Sequence, residues 1–139
     1  MHGLNNQRKQ VTFKGRSLGI TVLTAAQLLI GAIHVFSGLW LLTSEAAVSS
    51  QFSLAYDIYT LVFGLLVLVF AVFIWQGRKA GWIGTVAVSL FVIVADALTL
   101  LDLPSIPGIP KFPALTEIAY SVLIVVYLCS NHVRKKYLG

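Results

Sequence analysis

Residues 54–101 read LAYDIYTLVFGLLVLVFAVFIW, then QGRKAG, then WIGTVAVSLFVIVADALTLL. Two apolar runs, Leu54–Trp75 and Trp82–Leu101, flank a turn that holds Gly77, Arg78, Lys79 and Gly81. A helix rises ~1.5 Å per residue and a bilayer core is ~30 Å thick, so about 20 apolar residues cross it. Both runs meet that length. The turn between them is too short to place the helices anywhere but side by side and antiparallel.

Working outward, Leu18–Leu42 is a further run of sufficient length, and Leu115–Cys129 reaches it when counted from Phe112 to Asn131. The reading predicts an all-α integral membrane four-helix antiparallel bundle, with helices at about 18–42, 54–75, 82–101 and 113–131. Two tandem helical hairpins are one way to build it. Polar basic tails are expected at 1–17 and 132–139, around a membrane domain spanning 18–131. The first helix is expected to be retained, because its apolar run exceeds the ~7–15 residues of a cleaved signal.

Composition agrees. The chain has 139 residues, of which 58% are hydrophobic and 11% charged; soluble domains carry roughly a quarter charged residues. Four spans and their connections leave no room for a soluble domain.

The net charge of +5 does not indicate a nucleic-acid partner, because the bases are segregated. Arg8, Lys9, Lys14 and Arg16 precede the first run, Arg78 and Lys79 follow the second, and Arg134, Lys135 and Lys136 follow the fourth. In a four-span chain all of these face one side, leaving Lys111 alone on the other. The positive-inside rule then predicts a cell-membrane protein with both termini in the cytoplasm. Glu45, Asp57, Asp96, Asp102 and Glu117 fall at or near the outer ends of the spans. Cys129 is the single cysteine, so no internal disulfide and no paired-cysteine metal or redox motif exists. Trp40, Tyr56 and Tyr59 on one side, with Trp75, Trp82 and Tyr137 on the other, read as interfacial aromatic belts.

The third connection, LPSIPGIPKFP, places Pro104, Pro107, Pro110 and Pro113 three residues apart. A polyproline rod with the rings on one face is one reading, a docking ledge or lid. A strap that stops one helix and starts the next is the other. A faint repeat also shows: Gly15-Arg16-x-x-Gly19 and Gly77-Arg78-x-x-Gly81 open the first and third spans. The same offset relates His34 to Asp96, which makes those two candidate neighbours in a duplicated bundle.

Polar and small residues recur on one face of each helix. They are Gln27, Gly31, His34 and Gly38 in the first, and Asp57, Thr60, Gly64 and Ala71 in the second. The third carries Thr85, Ser89, Asp96 and Thr99, and the fourth Glu117, Tyr120, Ser121 and Ile124. Helices in lipid pack through such residues without any functional demand. Ionisable groups inside a membrane nevertheless mark function by default. His34, Asp57, Asp96 and Glu117 therefore form the candidate intramembrane site, one per helix in the outer part of the bilayer, with Gln27, Ser89, Thr99 and Tyr120 as a supporting polar face. These ligand types would suit zinc, manganese or iron, although no HExxH or ExxH spacing names a metal. Asp57 and Glu117, placed near helix amino ends, also suit the macrodipole alone.

The opening Gly15-Arg16-Ser17-Leu18-Gly19-Ile20-Thr21, and the closing Val126-Tyr127-Leu128 with Asn131–Gly139, resemble the ends of small four-span membrane proteins of archaea and some bacteria. Ser17 stands where proline is common in that group. The resemblance implies a four-span architecture and a prokaryotic origin, and it carries no chemistry.

Three functions fit these residues. The first is a non-catalytic small subunit or stabiliser of a membrane complex, docked on a protein partner or a second copy. The second is a proton, ion or small-solute transport component using the four ionisable groups. The third is a membrane enzyme with a metal at the same residues. No catalytic nucleophile motif, P-loop or dinucleotide fingerprint is present.

Overall fold

A computed structural model describes residues 12–13, 16–44 and 51–139. The predicted amino-terminal tail lies largely outside the described residues, as do Glu45 and most of the first outer connection. A short antiparallel pair, β1 (Thr12–Phe13) and β2 (Arg16–Ser17), leads into α1 (Leu18–Thr43). Then follow α2 (Gln51–Trp75), α3 (Lys79–Leu100), α4 (Lys111–Cys129) and α5 (Asn131–Leu138). The first four are long and apolar enough to cross a membrane, and they form the expected bundle. Large apolar side chains such as Leu29, Phe36, Phe91, Leu123 and Val126 cover its outside. A surface of that kind belongs in lipid.

Local chemistry sets the ends. Ser17 Oγ accepts from the Ile20 amide at 3.4 Å and caps α1. After α2, Gly77 turns left-handed at φ 74°. The Gly77 and Arg78 amides then donate to Ile74 and Phe73 carbonyls, each at 2.9 Å. This glycine-ended closure satisfies carbonyls that the helix leaves open, and α3 starts at once, at Lys79 rather than at Trp82.

The connection from α3 to α4 is a folded strap and not a rod. Asp102, at φ 57°, and Gly108, at φ 90°, reverse the chain. Ser105 Oγ donates to the Ala95 carbonyl at 2.8 Å, and Ile109 is buried. Asp102 and Lys111 pair at 2.6 Å across the ends of the strap. Pro110 caps α4 with an extended backbone, and Pro113 sits in the first turn, where a missing amide costs no helical bond. Two left-handed residues break the three-residue screw that a polyproline ledge requires.

Packing divides the bundle into hairpins, α1 on α2 and α3 on α4, joined where α2 meets α3. In α1 and α2 the glycines let the backbones meet. A methyl group on Gly64 would lie 2.8 Å from the Val35 nitrogen and 2.9 Å from the Gly31 oxygen. The carboxyl end differs from the predicted plain tail. Ser130 breaks the chain at ψ 143°, and α5 then turns Val133 and Tyr137 into the core. They pack with Ile20, Leu23, Ile74, Ile124 and Leu128. The Tyr137 hydroxyl donates to the Ile74 carbonyl at 2.9 Å, and Trp82 Nε1 to the Leu128 carbonyl at 2.8 Å. The base-rich end of the bundle is thus closed by an apolar plug.

Candidate functional site

The shared polar face predicted from the sequence points inward. Gln27, Gly31 and Gly38 in α1 are buried, as are Asp57, Thr60 and Gly64 in α2, Thr85, Ser89 and Asp96 in α3, and Ser121 in α4. It resolves into two levels.

The outer level centres on His34 and Glu117. Nδ1 of His34 lies 2.8 Å from the Ile30 carbonyl one turn back, and Nε2 lies 3.3 Å from Glu117 Oε1. A carbonyl can only accept, so Nδ1 carries a hydrogen. A carboxylate also only accepts. A hydrogen bond from Nε2 to Glu117 therefore contains one further proton, held either as imidazolium with carboxylate or as imidazole with carboxylic acid. Without that proton, lone pairs would face each other. The side chains of the pair keep 20% and 25% of their exposure. The edge of Phe63 stands against the imidazole at a centroid distance of 5.0 Å. Gly64 makes room for it, since a methyl there would come within 2.9 Å of His34 Cβ.

Asp96 is fully buried, and among the described residues neither of its oxygens makes a hydrogen bond of standard geometry. Glu117 is close enough to act on it by charge. The partner that the histidine bonds is Glu117 and not the expected Asp96, which stands close beside Glu117. Asp57 is buried with Oδ2 unpartnered, and it joins the group through Tyr56, which lies in the field of Glu117, Asp96 and Asp57. Tyr59, read from the sequence as interfacial, belongs here instead. Its hydroxyl is buried without a partner, within the field of Asp96 and Glu117, and its ring stacks on Phe63. Asp57 and Glu117 lie past the first turns of α2 and α4, which hold no acid. The macrodipole reading loses its geometry.

The inner level lies about 10 Å away, taking the seven residues from His34 to Gln27 at ~1.5 Å each. There Gln27, Ser89 and Tyr120 of the predicted supporting face meet Thr85 and Ser121 around a small cavity. Thr99 does not join either level: its hydroxyl donates to Ala95 of its own helix at 3.0 Å. Sequence reading missed Tyr59, whose position falls beside the polar stripe of α2 rather than on it.

Among the described residues no group of three or more His, Cys, Asp or Glu could hold a metal ion. His34 and Glu117 supply two donors, and Asp96 is not arranged to make a third. The geometry suits one proton better than a divalent cation. Comparison with known proteins returns no matching family model, curated protein or solved structure.

Proposed function

We propose that this chain is a proton-translocating component of a cell membrane, taking protons up at the His34–Glu117 pair with Asp96 as the next acceptor. The observation that carries the reading is the double engagement of His34. With Nδ1 committed to Ile30 and Nε2 to Glu117, the pair needs one proton to hold together and changes shape when it leaves. The buried carboxyl of Asp96 stands alongside. Intramembrane carboxylate and imidazole groups in this relation are the parts of proton relays. Nine of the ten bases at one end support placing that end, with both termini, in the cytoplasm. The site then lies towards the outer face, and the apolar plug around Tyr137 towards the inner one.

The small-subunit reading rested on small size, the lack of a catalytic motif and small-residue faces suited to helix contacts. Gly31, Gly38 and Gly64 are used inside the chain, each within clashing distance of the facing helix if given a methyl.

The test is proton flux into liposomes that carry the purified protein and an enclosed pH dye, driven by an imposed membrane potential. Wild-type protein should exceed protein-free vesicles, and Glu117→Gln should fall to their level. Gln keeps a hydrogen bond to the imidazole but cannot release a proton. Flux at the protein-free level in the wild type, or undiminished flux in Glu117→Gln, would contradict the proposal.

A further inference from the structure

The inner polar level is the most unusual feature that the pair itself does not explain. Gln27 is 2% exposed and Thr85 3%. Gln27 Oε1, Thr85 Oγ1 and the Tyr120 hydroxyl are buried with no hydrogen-bond partner among the described residues. These atoms belong to residues lining one internal cavity of about 20 Å³, together with Ser89 and Ser121. Leaving a buried polar atom unbonded costs ~1–3 kcal/mol, and three residues with such atoms line one space. A cavity holds a water once it exceeds ~10–15 Å³ and offers two to four polar partners. This one exceeds that volume, and five of its ten lining residues carry polar side chains. Gln27 Oε1 needs a donor, while the Thr85 and Tyr120 hydroxyls can each donate or accept. A water molecule supplies both kinds of bond; a cation would supply no acceptor for the hydroxyls.

Position gives the site a use. Tyr120 follows Glu117 by about one turn of α4, and Ser89 precedes Asp96 by about two turns of α3. On its other side the cavity shares Ile124 with the apolar plug. We infer that the cavity between Gln27, Thr85, Ser89, Tyr120 and Ser121 is a water-binding site that extends the proton path of His34 and Glu117 towards the base-rich end of the bundle. In such a relay the water accepts one proton from the outer side as it gives up another on the inner side, so no net charge stays on it. Its role rests on the proton-translocation reading; its occupancy does not.

X-ray radiolytic footprinting in ¹⁸O-labelled water tests occupancy, because hydroxyl radical formed from a bound water oxidises the side chain beside it. Wild-type protein should incorporate label at Tyr120, with yield reduced severalfold in Gln27→Leu and Thr85→Val. Thr85→Val should also melt lower, since it removes a hydroxyl bonded to water; over a dry cavity it would remove an unsatisfied group and melt higher. No label at Tyr120, or a higher-melting Thr85→Val, overturns the water site. Flux in Gln27→Leu tests the relay: a severalfold loss supports it, and wild-type flux in a labelled cavity overturns it. A labelled Tyr120 in a protein that passes no protons would instead leave the water site standing and remove the functional reading.

Discussion

Gly64→Ala should both loosen the bundle and disable its histidine site with a single added methyl group. The new Cβ would stand 2.8 Å from the backbone nitrogen of Val35, 2.9 Å from the oxygen of Gly31 and 2.9 Å from His34 Cβ. Two of those three atoms are backbone and cannot rotate away, so α1 must move off α2. Alanine gains about 1 kcal/mol of helix propensity over glycine, whereas forced overpacking costs ~1–3 kcal/mol and occasionally more. The clash wins, and it displaces the imidazole from Glu117 as well. Thermal melting in mild detergent should drop by several degrees and proton flux should vanish. Gly77→Ala is the control: nothing lies within 4 Å of its added methyl, so its cost is confined to the left-handed φ of 74°, roughly 1–2 kcal/mol, with flux retained. Equal melting of wild type and Gly64→Ala would show that the α1–α2 approach is looser than described.

The second large effect separates the two buried acids by sign. Asp96 is fully buried, and among the described residues neither oxygen makes a hydrogen bond of standard geometry, so Asp96→Asn removes the cost of carrying a negative charge where burial penalises one. Melting should rise, by an amount on the order of 1–3 kcal/mol, while flux falls. Glu117→Ala should do the opposite to stability, because it leaves the His34 Nε2 without its partner. A double-mutant cycle between His34→Ala and Glu117→Ala should show coupling of about 1–3 kcal/mol, the range of a hydrogen bond to a charged group. The cycle between His34→Ala and Asp96→Asn should be near additive. Strong coupling in the second cycle and none in the first would restore the pairing suggested by the internal repeat.

That exchange of partners shows where sequence reading stops. The face of each helix was legible because a 3.6-residue period puts Gln27, Gly31, His34 and Gly38 in one row, and those four do turn inward. The same period says nothing about which row faces which. His34 and Glu117 are 83 residues apart, on the first and last spans, and only the closure of the bundle brings them together. Tyr59 was taken for an interfacial ring because its distance from the helix end fits a headgroup depth; its hydroxyl turns inward instead. Helix α5 escaped because Val133 and Tyr137 give a single apolar step among Arg134, Lys135 and Lys136, too short to register as a period. The proline strap misled through its spacing, since Asp102 and Gly108 adopt left-handed conformations that a three-residue screw does not contain. By contrast, the turn at Gly77 was readable from the glycine and the bases alone.

On the proposed reading His34 and Glu117 hold one proton between them. This claim is tested most directly by infrared titration of the purified protein with isotope-labelled histidine, following the imidazole and carboxyl bands together. A shared proton requires the His34 and Glu117 bands to change at the same pH, with both changes lost in Glu117→Gln and retained in Asp96→Asn. Bands that change at separate pH values, or a His34 transition that survives Glu117→Gln unaltered, would show two independent groups and contradict the claim.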